Sequence, residues 1–299
     1  MPPRRDVGHF RSDRAQHHFL SVYRAAIAEL PPVAESLDVP TSFGTVRAYR
    51  FPGPSDAPPV LLLPGRNAST PMWRANIAGL CRHRAVIALD LPGEADMSVQ
   101  DRPITGPADE AEWLDGVMAE LRLDRAHLMG VSIGGWAAAN CADHRPGRIA
   151  SLVLLDPAIT FARIPVTAVF ASVGLFVPGV PEALRRRVLR WISGGADVDD
   201  SLPEAALISA GSSDYVLRKS MPRMFPDDQL RALEAPVLAL IGGRSVIHDA
   251  NRAAARARRL LRRGDVELWP DASHAINGEY PTEIAERAGR FWDAADGLS

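Results

Sequence analysis

Cysteine is nearly absent from this chain of 299 residues: Cys81 and Cys141 are the only two, and neither stands in a CxxC spacing. A disulfide framework and a cysteine-rich metal site are both excluded. Charge of one sign is also missing. Lys and Arg number 34 against 36 Asp and Glu, a formal net charge of −2, so no overall field draws the protein to nucleic acid or to an anionic membrane. A small-molecule partner is expected, with no nucleic acid and no membrane, and composition leaves a homodimer open. Long hydrophobic runs are lacking as well. The most apolar window, Ile164 to Val180, is broken by Pro165, Gly174 and Pro178 and is short of the roughly 20 apolar residues that cross a bilayer. The opening residues, MPPRRDVGHFRSDRAQHHF, are basic but have no apolar run behind them. They do not read as a secretory signal, and a cytoplasmic location is expected. No His/Cys/Asp/Glu cluster with metal-ligand spacing, phosphate loop or dinucleotide fingerprint is evident. Gly242-Gly243 lacks the rest of such a fingerprint, and neither metal nor cofactor is expected.

What is present is ordinary globular material, 46% hydrophobic and 23% charged, enough for one packed core with an insertion. Short runs rich in branched residues recur at Val60 to Leu63, Ala85 to Leu89, His127 to Val131, Ile149 to Leu155, Val237 to Ile241 and Val266 to Trp269. Strands apolar on both faces are those of a parallel sheet covered by helices on each side. Between them, Trp113, Val117 and Leu121 repeat at helical spacing, and Ile133 to Cys141 is rich in small residues suited to close packing. The alternation predicts a doubly wound, mostly parallel α/β sheet. Two segments depart from it. Ser12 to Leu30 places Phe19, Tyr23, Ile27 and Leu30 on one helical face before Pro31-Pro32, predicting a structural N-terminal helix. From Phe161 to about Arg231 no strand-like run occurs, while Leu184, Val188, Trp191 and Ile192 mark an amphipathic helix with Arg185, Arg186, Arg187 and Arg190 mostly opposite. The expected organisation is an N-terminal helical extension over 1–40, a core over 41–160 and 232–299, and an inserted helical cap over 161–231.

The motif that carries chemistry is Gly130-Val131-Ser132-Ile133-Gly134. It matches G-x-S-x-G directly after an expected strand and opens a helix, so the glycines permit a tight turn that lifts the Ser132 hydroxyl above the sheet edge. The helix N-terminus beside it favours developing negative charge. A serine hydroxyl needs a base. Of eight histidines, His274 in Asp271-Ala-Ser-His274-Ala is best placed, after the last strand and before the helix that begins near Pro281. His9, His17 and His18 lie near the N-terminus, His83 and His127 begin strands, and His144 ends a helix.

The chain resembles the α/β-hydrolase superfamily over nearly its whole length, most of all bacterial carboxylesterases with an N-terminal helix and a helical cap. The stretches that carry the resemblance are Leu61-Leu-Leu-Pro-Gly65, Asp90-Leu-Pro-Gly93, Gly130 to Gly135, Leu152 to Pro157, Ile241-Gly-Gly243 and the His274 loop. In that family the loop after the third strand usually begins His-Gly, here replaced by Pro64-Gly65. The oxyanion hole is built from backbone N–H groups rather than from that side chain. By position the resemblance implies donors at Ile133 and Arg66, with Asn67 the neighbouring alternative.

The family's acid usually stands in a G-x-x-D pattern, and the matching segment is Gly242-Gly243-Arg244-Ser245. A serine occupies the place of the carboxylate. Without an acid the imidazole loses its orientation, at a cost of orders of magnitude in rate. Three arrangements remain open. Asp156, in Leu154-Leu155-Asp156-Pro157, preserves the chain order Ser, Asp, His. Asp249 stands where a helix N-cap is required. The third is a Ser–His dyad, in which Ser245 could bond His274.

The expected activity is acyl transfer: a serine hydrolase that cleaves an ester or thioester of a small, largely apolar substrate through an acyl-enzyme on Ser132. Phe161, Phe170, Leu175 and Phe176 form an apolar set that either faces the substrate or fills the cap's own core. Two other readings stand beside it: a biosynthetic enzyme of the same fold catalysing cyclisation, lactonisation or another non-hydrolytic step, and a ligand-binding member without chemistry.

Overall fold

The computed structural model describes residues 6–166, 168, 181–192, 202–219 and 221–297. In chain order the elements are β1 (His9–Phe10), α1 (Asp13–Ala28), β2 (Glu35–Thr41), β3 (Gly44–Phe51), β4 (Val60–Leu63), α2 (Arg74–Leu80), β5 (Val86–Leu89), β6 (Val99–Gln100), α3 (Pro107–Glu120), β7 (Ala126–Val131), α4 (Ile133–His144) and β8 (Ile149–Leu155). There follow α5 (Glu182–Ile192), α6 (Pro203–Asp214), β9 (Tyr215–Val216), α7 (Asp227–Ala232), β10 (Val237–Gly242), α8 (Ala250–Leu260), β11 (Gly264–Trp269), α9 (Ile276–Glu279) and α10 (Pro281–Asp296).

Among the described residues, nine strands form one sheet in the order β11-β10-β8-β7-β4-β5-β3-β2, with β6 paired to β3. From β11 to β5 every neighbour is parallel, whereas β2, β3 and β6 join antiparallel. The continuous apolar runs became the parallel centre for the reason expected of them. Leu61 and Leu63 face one core layer and Val60 and Leu62 the other, and Leu152 and Leu154 alternate with Val153 and Leu155 in the same way. With both faces covered, a polar side chain on either is costly unless it is partnered, as His127 and Ser151 partner each other at 2.8 Å.

α3, α4 and α8 cover one face through Trp113, Val117, Ala138 and Ala257. α1, α2 and α10 cover the other through Phe19, Ile77, Leu80 and Trp292. The N-terminal helix starts at an N-cap, with the Ser12 hydroxyl accepting from the Ala15 N–H. It buries Phe19 and Tyr23 and leaves Ile27 and Leu30 half-buried. Its Tyr23 hydroxyl donates to the buried Asp90 carboxylate at 2.6 Å. Asp90 in turn accepts from the Thr70 and Met97 backbone N–H groups at 2.8 and 3.1 Å, so the helix is fastened to the loop that follows β4.

Several sequence expectations are corrected. The boundary at residue 40 falls inside β2, which pairs with β3 over its whole length, so the sheet begins at Glu35. The boundary at 231 falls inside α7. Among the described residues between Phe161 and Arg231 there is a short strand, β9, paired antiparallel with β1. His83 lies in a turn rather than opening a strand. On α5, Leu184 and Trp191 of the expected apolar stripe are exposed, as are Arg187 and Arg190. Among the described residues no helix is long and apolar enough to cross a membrane.

Candidate active site

The turn from β7 into α4 is built by its glycines. A Cβ at Gly134 would be driven into the backbone carbonyls of Leu63 and Pro64, and one at Gly130 into the carbonyl of Gly134. No side chain fits either place. Between them Ser132 adopts φ 55° and ψ −120°, a conformation that non-glycine residues rarely hold unless the surrounding structure enforces it. The enforcement is visible: the Ser132 N–H donates to the Leu155 carbonyl at 3.1 Å, and its own carbonyl accepts from Gly135 and Ala158.

His274, half-buried in the loop after β11, places Nε2 2.9 Å from the Ser132 Oγ. Its Nδ1 lies 2.7 Å from Asp156 Oδ2. A carboxylate only accepts, so Nδ1 carries the proton and Nε2 presents a lone pair to the serine hydroxyl. Three of the residues singled out in the sequence therefore meet, from positions 132, 156 and 274. Asp156 directly follows β8 with φ 40° and is completely buried. Burial alone pushes its carboxyl up, but the contacts of His248 and His274 outweigh it and hold the group below the ordinary carboxylate range.

The loop after β10 closes around this carboxylate. The Gly242 N–H donates to Oδ1 at 3.0 Å, and the Ser245 hydroxyl donates to Oδ2 at 2.6 Å. Ser245 thus bonds the acid rather than His274, which corrects the contact drawn for a dyad. Asp249 is not brought to His274. It is exposed and caps α8, accepting from the Arg252 N–H at 3.0 Å, so the alternative acid is set aside for the reason its position already gave. His248 received no role from the sequence, yet its Nε2 lies 3.0 Å from Asp156 Oδ1. No local pattern marks it, because its partner stands 92 positions earlier in the chain.

Ile133 is the first residue of α4, and Arg66 sits in the turn after β4. The neighbouring alternative, Asn67, has its N–H engaged by Glu94 Oε2 at 3.3 Å, and the Gly65 N–H points to Met72 Sδ at 3.0 Å. Among the described residues nothing occupies the N–H groups of Arg66 and Ile133. Phe161 is 1% exposed and belongs to the core layer beside α4, which removes it as an open substrate surface. Phe170, Leu175 and Phe176 lie outside the described residues. An open cavity of about 540 Å³ is walled by Ile159, Ile164, Met224 and Phe225, with Arg163 and Arg223 also lining it. Ser132 and His274 are not in its lining, but Ile159 directly follows Ala158, whose N–H holds the Ser132 carbonyl at 3.0 Å. Among the described residues no three His, Cys, Asp or Glu side chains converge as a metal-ligand set.

Known proteins resemble the chain in sequence and in fold. A family model described as the alpha/beta hydrolase family matches residues 60–287. A protein of Bacillus subtilis (strain 168) named uncharacterized carboxylesterase nap is 28% identical over 287 residues, covering 94% of each chain. The crystal structure of naproxen esterase (carboxylesterase NP) from Bacillus subtilis superposes with a TM-score of 0.86 at 27% identity, over 94% of this chain and 99% of that one. The crystal structure of carboxylesterase CesB (YbfK) from the same organism gives 0.84 at 26% identity, over 92% and 97%.

Proposed function

We propose that this chain, which belongs to the alpha/beta hydrolase family, is a carboxylesterase-type serine hydrolase that cleaves esters through an acyl-enzyme on Ser132. The observation that carries the reading is the continuous line from Ser132 Oγ to His274 Nε2 at 2.9 Å and from His274 Nδ1 to Asp156 Oδ2 at 2.7 Å. Carboxylesterases similar over nearly the whole chain support the same chemistry.

His274 Nε2 takes the hydroxyl proton as Ser132 Oγ forms a bond to the ester carbonyl carbon, and Asp156 stabilises the imidazolium so formed. The carbonyl oxygen becomes an oxyanion, held by the backbone N–H groups of Ile133, at the N-terminal end of α4, and of Arg66, in the turn after β4. Collapse breaks the bond to the alcohol oxygen, which leaves with the proton from His274. Water then gives a proton to His274 and attacks the acyl carbon, and Ser132 recovers its proton as the acid departs. One such N–H donor typically contributes about 2.7 to 4 kcal/mol to the barrier, so placement of the two donors governs the rate as strongly as the acid does.

The substrate carries a small, largely apolar acyl or alcohol group in this reading, supported by Ile159, Ile164, Met224 and Phe225 in the cavity lining, which also holds Arg163, Arg223, Arg256 and Asp227. Hydrolysis of p-nitrophenyl esters of increasing acyl length tests both parts. Wild-type protein is expected to release p-nitrophenol and to be labelled by a fluorophosphonate probe, and Ser132→Ala to do neither. An unlabelled wild type that leaves every ester intact would end this reading in favour of a ligand-binding role. A labelled wild type that spares every ester would point instead to a non-hydrolytic acyl transfer.

A further inference from the structure

The mechanism above uses one histidine, yet a second lies on the other side of the same carboxylate. His248, in the loop between β10 and α8, is 4% exposed, with Nε2 3.0 Å from Asp156 Oδ1. The ring N–H is not aimed squarely at that oxygen, and neither ring nitrogen makes an aligned hydrogen bond among the described residues. At 3.0 Å the contact is a close polar approach, and Asp156 is its partner. Burying an imidazole with so few hydrogen bonds is unfavourable. A position needed only for packing would be filled better by an apolar side chain.

A carboxylate turns about its Cβ–Cγ bond and offers two equivalent oxygens, so its direction is set by what it accepts. Here each oxygen meets two groups: Oδ1 the Gly242 N–H and His248, Oδ2 the Ser245 hydroxyl and His274. Three of these four come from the single loop 242–248, where the acid itself is missing. We infer that His248, together with Ser245, is a positioning residue for the reaction, holding the Asp156 carboxylate turned so that Oδ2 meets His274 Nδ1. The inference rests on the proposed role of Asp156 as the acid.

The electrostatics make it measurable. A donor on Oδ1 draws negative charge away from Oδ2; removing it concentrates charge facing His274 and strengthens proton binding by the His274–Asp156 pair. Other charged groups on the surrounding elements are engaged elsewhere. Asp249 caps α8, Glu279 accepts from the Ser273 N–H, and Arg244 faces the Asp271 carbonyl at 3.5 Å. Against its burial, the groups that act on Asp156 most strongly are His248 and His274.

The test measures the fluorophosphonate labelling rate and ester turnover against pH for wild type, His248→Phe, His248→Gln and Ser245→Ala, with thermal unfolding followed in parallel. His248→Phe is expected to lower kcat roughly tenfold or more, the size common for residues that orient a catalytic ligand, with little change in KM. Its acid limb should move to higher pH by about one unit, a tenfold change in proton binding. His248→Gln, which restores an N–H, should recover much of both, and Ser245→Ala should move the limb in the same direction. In wild type the proton between His274 and Asp156 should give a far-downfield proton NMR resonance that shifts in His248→Phe. If His248→Phe changes only the unfolding temperature, leaving the acid limb and kcat in place, the residue is structural and the inference falls. Should His248→Phe not fold, His248→Ala replaces it, and unmoved acid limbs in His248→Ala and Ser245→Ala overturn the inference. A wild type that is never labelled removes the serine hydrolase reading first, whereas a labelled wild type with unmoved variants removes only this inference.

Discussion

Replacing Asp156 by Asn removes one charge and almost no volume, and the contacts around the carboxylate dictate where the new amide must point. The Gly242 backbone N–H donates to Oδ1 at 3.0 Å and cannot turn into an acceptor. The amide oxygen is therefore held at that corner, and the NH2 group takes the place of Oδ2. There it meets Ser245, whose hydroxyl can rotate to accept, and His274 Nδ1, which accepts only by giving up its proton. The proton moves to Nε2, which then faces Ser132 Oγ at 2.9 Å with no lone pair to receive a proton. The base is present in the wrong tautomer. In serine protease triads the same exchange costs about 10⁴ in kcat, and at 1.36 kcal/mol per tenfold that is about 5 kcal/mol of barrier. The opposite placement, with the amide NH2 towards Gly242 and His248, sets donor against donor in a buried site and offers no escape. Initial rates with a p-nitrophenyl ester, at saturating and limiting concentration, separate kcat from KM, and Asp249→Asn serves as the comparison because that residue caps a helix. Loss of roughly four orders in kcat with KM nearly unchanged is expected for Asp156→Asn, and near wild-type turnover for Asp249→Asn. Turnover of Asp156→Asn within tenfold of wild type would refute the reasoning, since it would mean that the imidazole holds its tautomer without the acid.

Two further outcomes follow from the geometry. Gly134→Ala places a methyl against the Leu63 and Pro64 carbonyls, backbone that cannot yield without opening the sheet beside Ser132; fluorophosphonate labelling should fall steeply and stability by about 1 to 3 kcal/mol, and full labelling with unchanged stability would contradict the packing described. His127 is wholly buried between Ser151 Oγ at 2.8 Å and Asp296 Oδ2 at 3.2 Å, and burial lowers its pKa from 6.5 to about 4, against the opposing pull of Asp296. Its folded pKa lies below the unfolded one, so its contribution is fully present above about pH 6.5 and is lost as the pH falls towards 4, at about 1.4 kcal/mol per unit; denaturant midpoints across that window should fall in wild type and flatten in His127→Gln.

Sequence pattern alone determined the centre of the sheet and the nucleophile's turn, because both are local matters. Val60–Leu63 and Ile149–Leu155 were recognisable at their exact ends since a strand covered on both faces is almost wholly apolar, Ser151 being held by a bond to His127, and G-x-S-x-G names its own conformation through two glycines without room for a Cβ. The hairpin of β2 and β3 was not recognisable. As outer antiparallel strands they set buried Val39 and Val46 between exposed or half-buried neighbours and include Pro40, a pattern close to that of a loop. Position along the chain pointed to His274, but the partner of its Nδ1 was left open among Asp156, Asp249 and none. Only tertiary structure decided which carboxylate lies against that imidazole. Asp156 and His274 are 118 positions apart, and their meeting depends on β8 and β10 being neighbours in the sheet. The same adjacency turned Ser245 from an absent acid into a donor to the acid present, and gave His248 a partner that no local pattern could reveal. Short-range sterics are written in neighbouring letters, whereas a contact between strand ends is a property of the order in which strands pack.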